Sequence, residues 1–316
     1  MISPPQLASA AQFRSFRADP QLWLPLARDI VRRHGYLSFE PVPFATGTNL
    51  VVAIGSRLIL KIFPPMYRGQ FLSERAALRA LAGRVRVAIP ELLYEGERGP
   101  WSYLIMTRLP GELAAEVWPG MTEAAKGRLL AQLGETIALV QGVPPDGLSG
   151  IGPDWTTFLQ GQIAECRARH QRLGLPEKFL AGLDVLLNEA QDLIPTAPAP
   201  VILTGEYIPE NFLVAPDGDG WTVAGLFDFG DVLTGWGEYD LLGPSAFMAA
   251  GRPARVRSLL EGYGFATAAI DGRLKRRLLA LMLLHRASDP LRHICIDDWP
   301  SKASNLDELQ ELIWPS

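Results

Sequence analysis

The spacing of apolar residues divides the chain into two parts with different predicted structure. In the first part, residues 20–33 and 71–81 have the apolar spacing of amphipathic helices. The strand-like segments between and after them are 44–54, 58–63, 90–96 and 101–108, and turn residues separate them. With these four segments among its strands, we expect a five-stranded antiparallel sheet with a helix packed against it.

After residues 107–111 the strand pattern gives way to a mostly helical one. A helix is expected between the N-cap Thr122 and the stop at Gly142. Further helices are predicted at 155–173, 177–193, 252–263, 271–286 and 304–314. The sequence therefore predicts an α+β fold of two lobes, an N-lobe at 1–107 and a C-lobe at 108–316.

The segment 201–240 carries the most chemistry. Glu206 is followed five residues later by Asn211, and then by a strand, a turn at 217–220 and a strand that ends in Asp228-Phe229-Gly230. Phosphoryl transfer in kinases uses a carboxylate at the acceptor hydroxyl, with an Asn and an Asp that bind Mg²⁺. The spacing predicts Glu206, Asn211 and Asp228 in these roles, although each short motif also occurs by chance.

Lys61 interrupts an apolar strand and shares one strand face with Ile59 and Phe63. It is either a charge that protects an edge strand or a buried cation with a function. Glu74 lies on the following helix, where it can pair with Lys61 and direct it at nucleotide phosphates, or can be a solvated side chain. Because strand, lysine and helix follow in the required order, we predict the pair.

Two further segments are expected to hold the nucleotide. The small-residue loop that contains Thr46, Gly47 and Thr48 lies between strands, where its backbone N–H groups can approach phosphates. Met106, Thr107 and Leu109 lie between the lobes. An adenine would bind there to the backbone of Thr107 and Leu109 with Met106 behind it, although the sequence does not decide between ATP and GTP.

With these residues in place, the chain resembles the aminoglycoside phosphotransferase family, which has a bilobal protein-kinase-like fold. The family motifs correspond to Thr204-Gly205-Glu206…Asn211 and to Asp228-Phe229. Segments 17–31, 228–242 and 306–315 are most similar to hygromycin B 7″-O-phosphotransferases. The resemblance implies an enzyme that transfers the γ-phosphate of ATP or GTP, with Mg²⁺, to a hydroxyl of an aminoglycoside, and it implies a structural role for Asp240.

The chain departs from the family pattern at three positions. Thr204 and Gln141 stand where the family has histidines, and Glu206 stands where it has the catalytic aspartate. Glutamate keeps the charge but extends the carboxylate by one methylene. A kinase of another small metabolite, or a non-catalytic nucleotide-binding homologue, therefore remains an alternative.

Composition limits the partners. The net charge is −4, and segment 201–240 holds eight carboxylates without lysine or arginine, which disfavours nucleic acid. These acids either serve turns and Mg²⁺ or attract a cationic small-molecule substrate. The candidates for contacts with such a substrate are Glu210, Asp231, Asp297, Asp298 and Trp299, with a solvated loop as the alternative for Asp297 and Asp298.

The N-terminal residues contain no apolar run, so we expect no signal peptide, and the apolar window 278–284 is too short to span a membrane. Cys166 and Cys295 are isolated, as is typical of a reducing compartment. The four histidines, which are His34, His170, His285 and His293, show no metal-ligand spacing. We expect a cytoplasmic protein that is a monomer or a weak dimer.

Overall fold

The computed structural model describes residues 4–218 and 220–316. Two helices come first, α1 (Ala10–Ala18) and α2 (Pro20–Arg33). The Asp19 side chain accepts a hydrogen bond from the backbone of Gln21 at the start of α2. The prediction of α2 is confirmed, whereas α1 was not predicted.

A five-stranded antiparallel sheet follows, as predicted, in the order β1-β2-β3-β5-β4. Its strands are β1 (Val42–Pro43), β2 (Leu50–Ile54), β3 (Leu58–Phe63), β4 (Leu92–Arg98) and β5 (Trp101–Thr107), and helix α3 (Arg68–Leu81) lies between β3 and β4. The predicted strand 44–54 was wrong in its first half. Small and polar residues and Gly47, with φ of +103°, make residues 44–49 a loop instead.

The two faces of this sheet have different partners, as the alternation of side chains in β3 requires. Leu60 and Ile62 pack with α1 and α2 in one apolar cluster, whereas Phe63 belongs to the cluster that includes α3 and the C-lobe. Lys61 has the same orientation as Phe63, so its side chain points toward the C-lobe.

The C-lobe is mostly helical. Its helices are α4 (Ala114–Val117), α5 (Glu123–Gln141), α6 (Trp155–Arg172), α7 (Glu177–Leu180), α8 (Leu183–Leu193), α9 (Leu242–Pro244), α10 (Pro253–Tyr263), α11 (Gly272–Leu284), α12 (Pro290–His293), α13 (Trp299–Lys302) and α14 (Leu306–Ile313). The single helix predicted at 177–193 is divided at Gly182, the residue type with the lowest helix propensity after proline. In residues 4–218 and 220–316, no helix has the length and apolar character that crossing a membrane requires.

Two small sheets within this lobe hold the segment 201–240. Strands β6 (Glu112–Leu113), β8 (Phe212–Asp217) and β9 (Gly220–Leu226) form one sheet, and β7 (Val201–Leu203) pairs with β10 (Leu233–Gly235) in the other. The hairpin predicted at 217–220 is confirmed by the pairing of Asp217 with Gly220, while Asp219 lies outside the described residues. The loops that follow β7 and β9 come together beneath the five-stranded sheet.

Candidate active site

The loop after β7 is fixed by a buried carboxylate. Asp240 accepts hydrogen bonds from the backbone N–H groups of Thr204, at 3.2 Å, and Gly205, at 2.7 Å. The Gln141 amide, in the position of a family histidine, donates to the same carboxylate at 3.3 Å. Gly205 has φ of +73°, a conformation that glycine adopts without strain. Asp240 therefore has the structural role that the resemblance implied.

A second support of this loop was not predicted from the sequence. His285 and Arg286 follow α11, and His285 Nε2 lies 3.1 Å from the carbonyl oxygen of Gly205. The backbone N–H of Ala287 donates to His285 Nδ1, so Nε2 carries the proton and donates to Gly205. Burial lowers the pKa of His285 to about 3 and keeps the ring neutral. The helix predicted at 271–286 ends at Leu284 because these two residues turn toward the loop.

Glu206 and Asn211 lie together, as their spacing predicted. The Asn211 side-chain amide donates to Glu206 Oε2 at 3.1 Å and to the Glu206 carbonyl at 3.2 Å. Burial, above all, raises the pKa of Glu206 to about 7, and the charges of Asp231 and Asp228 act in the same direction. The carboxylate thus titrates close to neutral pH, where a general base is most effective.

Asp228 and Lys61 meet across the two lobes. Lys61 Nζ lies 2.7 Å from Asp228 Oδ1 and 2.6 Å from Glu74 Oε2. Asp228 has φ of +66°, an uncommon conformation for a residue other than glycine. Such local strain is often found where function fixes a side chain.

The alternatives for Lys61 and Glu74 are excluded by their positions. Strand β3 lies between β2 and β5, so Lys61 is not on an edge strand. Both side chains are buried, with Glu74 only 2% exposed. Desolvation lowers the pKa of Lys61, but the carboxylates of Asp228 and Glu74 outweigh it and raise the pKa above its ordinary value. Lys61 is therefore a buried cation between two acids.

The other predicted nucleotide residues lie in two segments of the chain. Thr46, Gly47 and Thr48 lie exposed in the loop between β1 and β2, and the end of that loop is anchored by Asn49, whose amide donates to Gln70 on α3 at 2.9 Å. Met106 is buried at the end of β5, and Thr107 and Leu109 follow it in the connection between the lobes.

The predicted substrate residues do not all face one surface. Glu210 and Asp297 are exposed. The pKa of the Cys295 thiol is raised mainly by burial and in addition by the charges of these two acids, so both lie on the same side of the protein as that thiol. Asp231 forms an ion pair with Arg286 at 3.1 Å. Asp298 accepts a hydrogen bond from the Ser301 hydroxyl at 3.0 Å, in a turn.

Trp299 requires a correction, because only 2% of its surface is exposed. Its ring packs on Phe179 at 5.0 Å, and its N–H donates to the carbonyl of Pro290 at 3.2 Å. Trp299 is a core residue that a substrate does not reach in this structure. Because Trp299 follows the exposed acids Asp297 and Asp298 in the sequence, the three residues were predicted to contact the substrate together, but the fold buries Trp299 away from them.

Several of the eight carboxylates have partners within the protein. Arg277 forms two hydrogen bonds, at 2.5 and 2.6 Å, with the buried Glu238. Asp228, Asp231 and Asp240 are paired as described above. These four acids therefore have partners within the protein, whereas Glu210, between Glu206 and Asn211 in the loop after β7, is exposed.

The residues fit the Mg²⁺ ion that the resemblance implies. Carboxylate and carboxamide oxygens are ligands of the kind that Mg²⁺ prefers. Asn211 and Asp228 line the same small cavity, with Glu206. The Asn211 amide nitrogen is directed to Glu206, so its oxygen is available for a cation. No group of three or more His, Cys, Asp or Glu in residues 4–218 and 220–316 forms an alternative metal site.

Comparison with known proteins gives a family and a fold. Residues 42–279 match the phosphotransferase enzyme family (APH). Among solved structures, the GDP complex of wild-type aminoglycoside 2'-phosphotransferase-IIIa superposes with a TM-score of 0.69 at 19% identity, covering 92% of this chain and 97% of that chain.

Two more structures superpose at lower scores. ADP-bound aminoglycoside phosphotransferase APH(2'')-Ib has a TM-score of 0.56 at 15% identity, and the cover is 92% of this chain and 99% of that chain. The macrolide 2'-phosphotransferase MphH from Brachybacterium faecium has a TM-score of 0.55 at 17% identity, with 82% and 90% covered. At these identities the likeness establishes the shared kinase-like fold.

Proposed function

Because the chain belongs to the phosphotransferase enzyme family, we propose that it transfers the γ-phosphate of a nucleoside triphosphate to a hydroxyl of a small molecule. The acceptor proposed first is an aminoglycoside antibiotic, with hygromycin B as the leading member. The observation that carries the proposal is the convergence of Lys61, Glu74, Asp228, Asn211 and Glu206, from four separate segments, in one cleft between the lobes.

Each residue then has one task. Lys61, held by Glu74, binds the phosphates of the nucleotide. Asn211 and Asp228 would hold Mg²⁺, which supplies positive charge to the phosphate oxygens when it is bound. Glu206 orients the acceptor hydroxyl and accepts its proton as the oxygen attacks the γ-phosphorus. The bond from that phosphorus to the bridging oxygen breaks, and a nucleoside diphosphate leaves.

Support for a nucleotide comes also from the fold neighbours, since the structures of two aminoglycoside phosphotransferases contain GDP and ADP. In this chain, Asn49, at the end of the loop with Thr46, Gly47 and Thr48, donates to Gln70 on α3, the helix that also carries the Lys61 partner Glu74. The base of the nucleotide would bind to the backbone of Thr107 and Leu109.

A cationic acceptor is favoured by the exposed acids beside the catalytic loop. In addition to burial, the charges of Glu210 and Asp297, from distant segments of the chain, both raise the pKa of the Cys295 thiol, so this region of the surface is negative. Opposite charges attract in water most strongly at low ionic strength. A neutral or weakly charged acceptor is the second candidate, since the fold is shared with a macrolide phosphotransferase.

The experiment that separates these acceptors is a steady-state screen of aminoglycosides, macrolides and amino alcohols at low and high salt. For a cationic acceptor, KM rises with ionic strength, and Glu210→Gln and Asp297→Asn raise it further while the nucleotide KM stays constant. Turnover of an uncharged acceptor with a salt-independent KM would contradict the aminoglycoside assignment.

A further inference from the structure

The connection between the lobes has an unusual hydrogen-bond arrangement at Thr107. Its backbone N–H donates to the carbonyl of Glu91 at 3.0 Å, as in an antiparallel pair. In such a pair the N–H of Glu91 would donate to the Thr107 carbonyl in return. Here it donates instead to the Thr107 hydroxyl, at 2.8 Å. The side chain has taken the hydrogen bond that the backbone carbonyl would otherwise accept.

The neighbouring strand does not use this carbonyl either. The N–H of Arg108 donates to the carbonyl of Arg57 at 2.7 Å, so these two residues form a hydrogen-bonded pair of β3 and β5. Thr107, opposite Leu58, is then at the intervening position, where N–H and C=O point away from β3. Outside the strand ladders, none of the hydrogen bonds formed by residues 4–218 and 220–316 is donated to the Thr107 carbonyl or by the Leu109 N–H.

We propose that the Thr107 hydroxyl makes the nucleotide site selective for adenine over guanine, because it keeps the Glu91 N–H away from the Thr107 carbonyl. The free carbonyl of Thr107 and the free N–H of Leu109 form an acceptor followed by a donor. This inference rests on the proposed function, since it concerns the base of the nucleotide that the phosphate-binding residues would hold.

The order of these two groups matches one purine. Adenine presents an amino group, which donates, beside a ring nitrogen that accepts. Guanine presents the reverse, a carbonyl oxygen beside a ring N–H. In the same orientation, guanine would place its oxygen against the Thr107 carbonyl and its N–H against that of Leu109. A guanine displaced by one position would leave the Thr107 carbonyl desolvated and unpaired, which costs binding free energy.

The test uses two substitutions of Thr107 that differ in one group. Thr107→Val keeps the shape and removes the hydroxyl, so the Glu91 N–H is expected to turn to the carbonyl of residue 107. Thr107→Ser keeps the hydroxyl and serves as the matched control. Dissociation constants for ADP and GDP are measured by isothermal titration calorimetry with Mg²⁺ for the natural protein and both variants.

The natural protein and Thr107→Ser are expected to bind ADP about tenfold or more tightly than GDP, because a tenfold ratio of dissociation constants corresponds to the free energy of about one hydrogen bond. In Thr107→Val, ADP affinity falls to near that of GDP, while GDP affinity changes little. An unchanged ratio in Thr107→Val, equal losses for both nucleotides, or a preference of the natural protein for GDP would each overturn the inference and leave the proposed function standing. Absence of binding of both nucleotides by the natural protein would instead overturn the proposed function, and the inference with it.

Discussion

Shortening the side chain of Glu206 tests the role of this residue most sharply. Its Oε2 lies 3.1 Å from the Asn211 amide, in a loop fixed from both sides by Asp240 and His285. Glu206→Asp withdraws the carboxylate by about one C–C bond length, 1.5 Å. A displacement of about 1 Å in a reacting group costs about a hundredfold in rate. Because Asp240 and His285 both hydrogen-bond to the backbone of Gly205, next to Glu206, the loop has little freedom to move the shorter side chain forward.

We therefore expect Glu206→Asp to lower kcat by about a hundredfold. Glu206→Gln, which removes the charge at nearly constant shape, should lower it by about 10²–10⁴-fold, the usual contribution of a general base. The nucleotide KM should change little in both, since Lys61 and Asp228 are intact. The assay is steady-state kinetics, with Asp217→Asn, an exposed acid at the end of β8, as a control of unchanged activity.

The pH profile provides a second readout of the same carboxylate. Because burial raises the pKa of Glu206 to about 7 in the protein without bound substrate, its ionised fraction, and with it kcat/KM, should increase as pH rises through that value. The increase should be absent in the residual activity of Glu206→Gln. A turnover of Glu206→Asp above that of the natural protein would refute this reasoning, because it would identify Glu206 as the mark of a degraded kinase.

Three further results are expected. Asp228→Asn should lower kcat by about a hundredfold or more with the melting temperature nearly unchanged, because the amide keeps an acceptor for Lys61 but loses the charge; near-normal kcat would exclude Asp228 from the site. Lys61→Met should reduce the free energy of unfolding in urea by about 3–5 kcal/mol, because Glu74 is left buried and unpaired. Adding Glu74→Gln to Lys61→Met should restore part of the lost stability, and no recovery would contradict the pairing. The pKa of His285 is depressed in the folded state. Its contribution to the free energy of unfolding is therefore fully present above about pH 6.5, and it falls by about 4 kcal/mol at about pH 3 because the unfolded chain takes up the proton first. In acid unfolding, His285→Gln should show a shallower decline of stability than the natural protein.

The sequence predicted the parts of the site that depend on local spacing. Glu206 and Asn211 are joined by one short loop, and the hairpin that follows returns Asp228 to them. Lys61 could be placed because strand alternation determines its face, and helix α3 then limits where Glu74 lies. The order of these elements along the chain was sufficient to predict the Lys61–Glu74 pair, whereas the contact of Lys61 with Asp228 was not predicted.

Contacts between distant segments could not be predicted in the same way. His285 reaches Gly205 across 80 positions of the sequence, and only the end of an apolar helix next to a histidine could have indicated it. Trp299 follows two exposed acids but is drawn into the core by packing on Phe179. The first half of the predicted strand 44–54 is a loop, because its residues are small and polar and Gly47 has a backbone conformation that apolar periodicity does not report.

The central claim is that the cleft of Lys61, Asp228, Asn211 and Glu206 transfers phosphate to a small-molecule hydroxyl, and direct detection of the product tests it most directly. The natural protein and Asp228→Asn are incubated with Mg²⁺, γ-labelled ATP and a panel of aminoglycosides that includes hygromycin B, and labelled acceptor is separated and identified by mass spectrometry. The account predicts a monophosphorylated acceptor with the natural protein and its loss with Asp228→Asn. Formation of the same product at equal rate by both proteins, or no labelled acceptor from a protein that binds nucleotide, would contradict it.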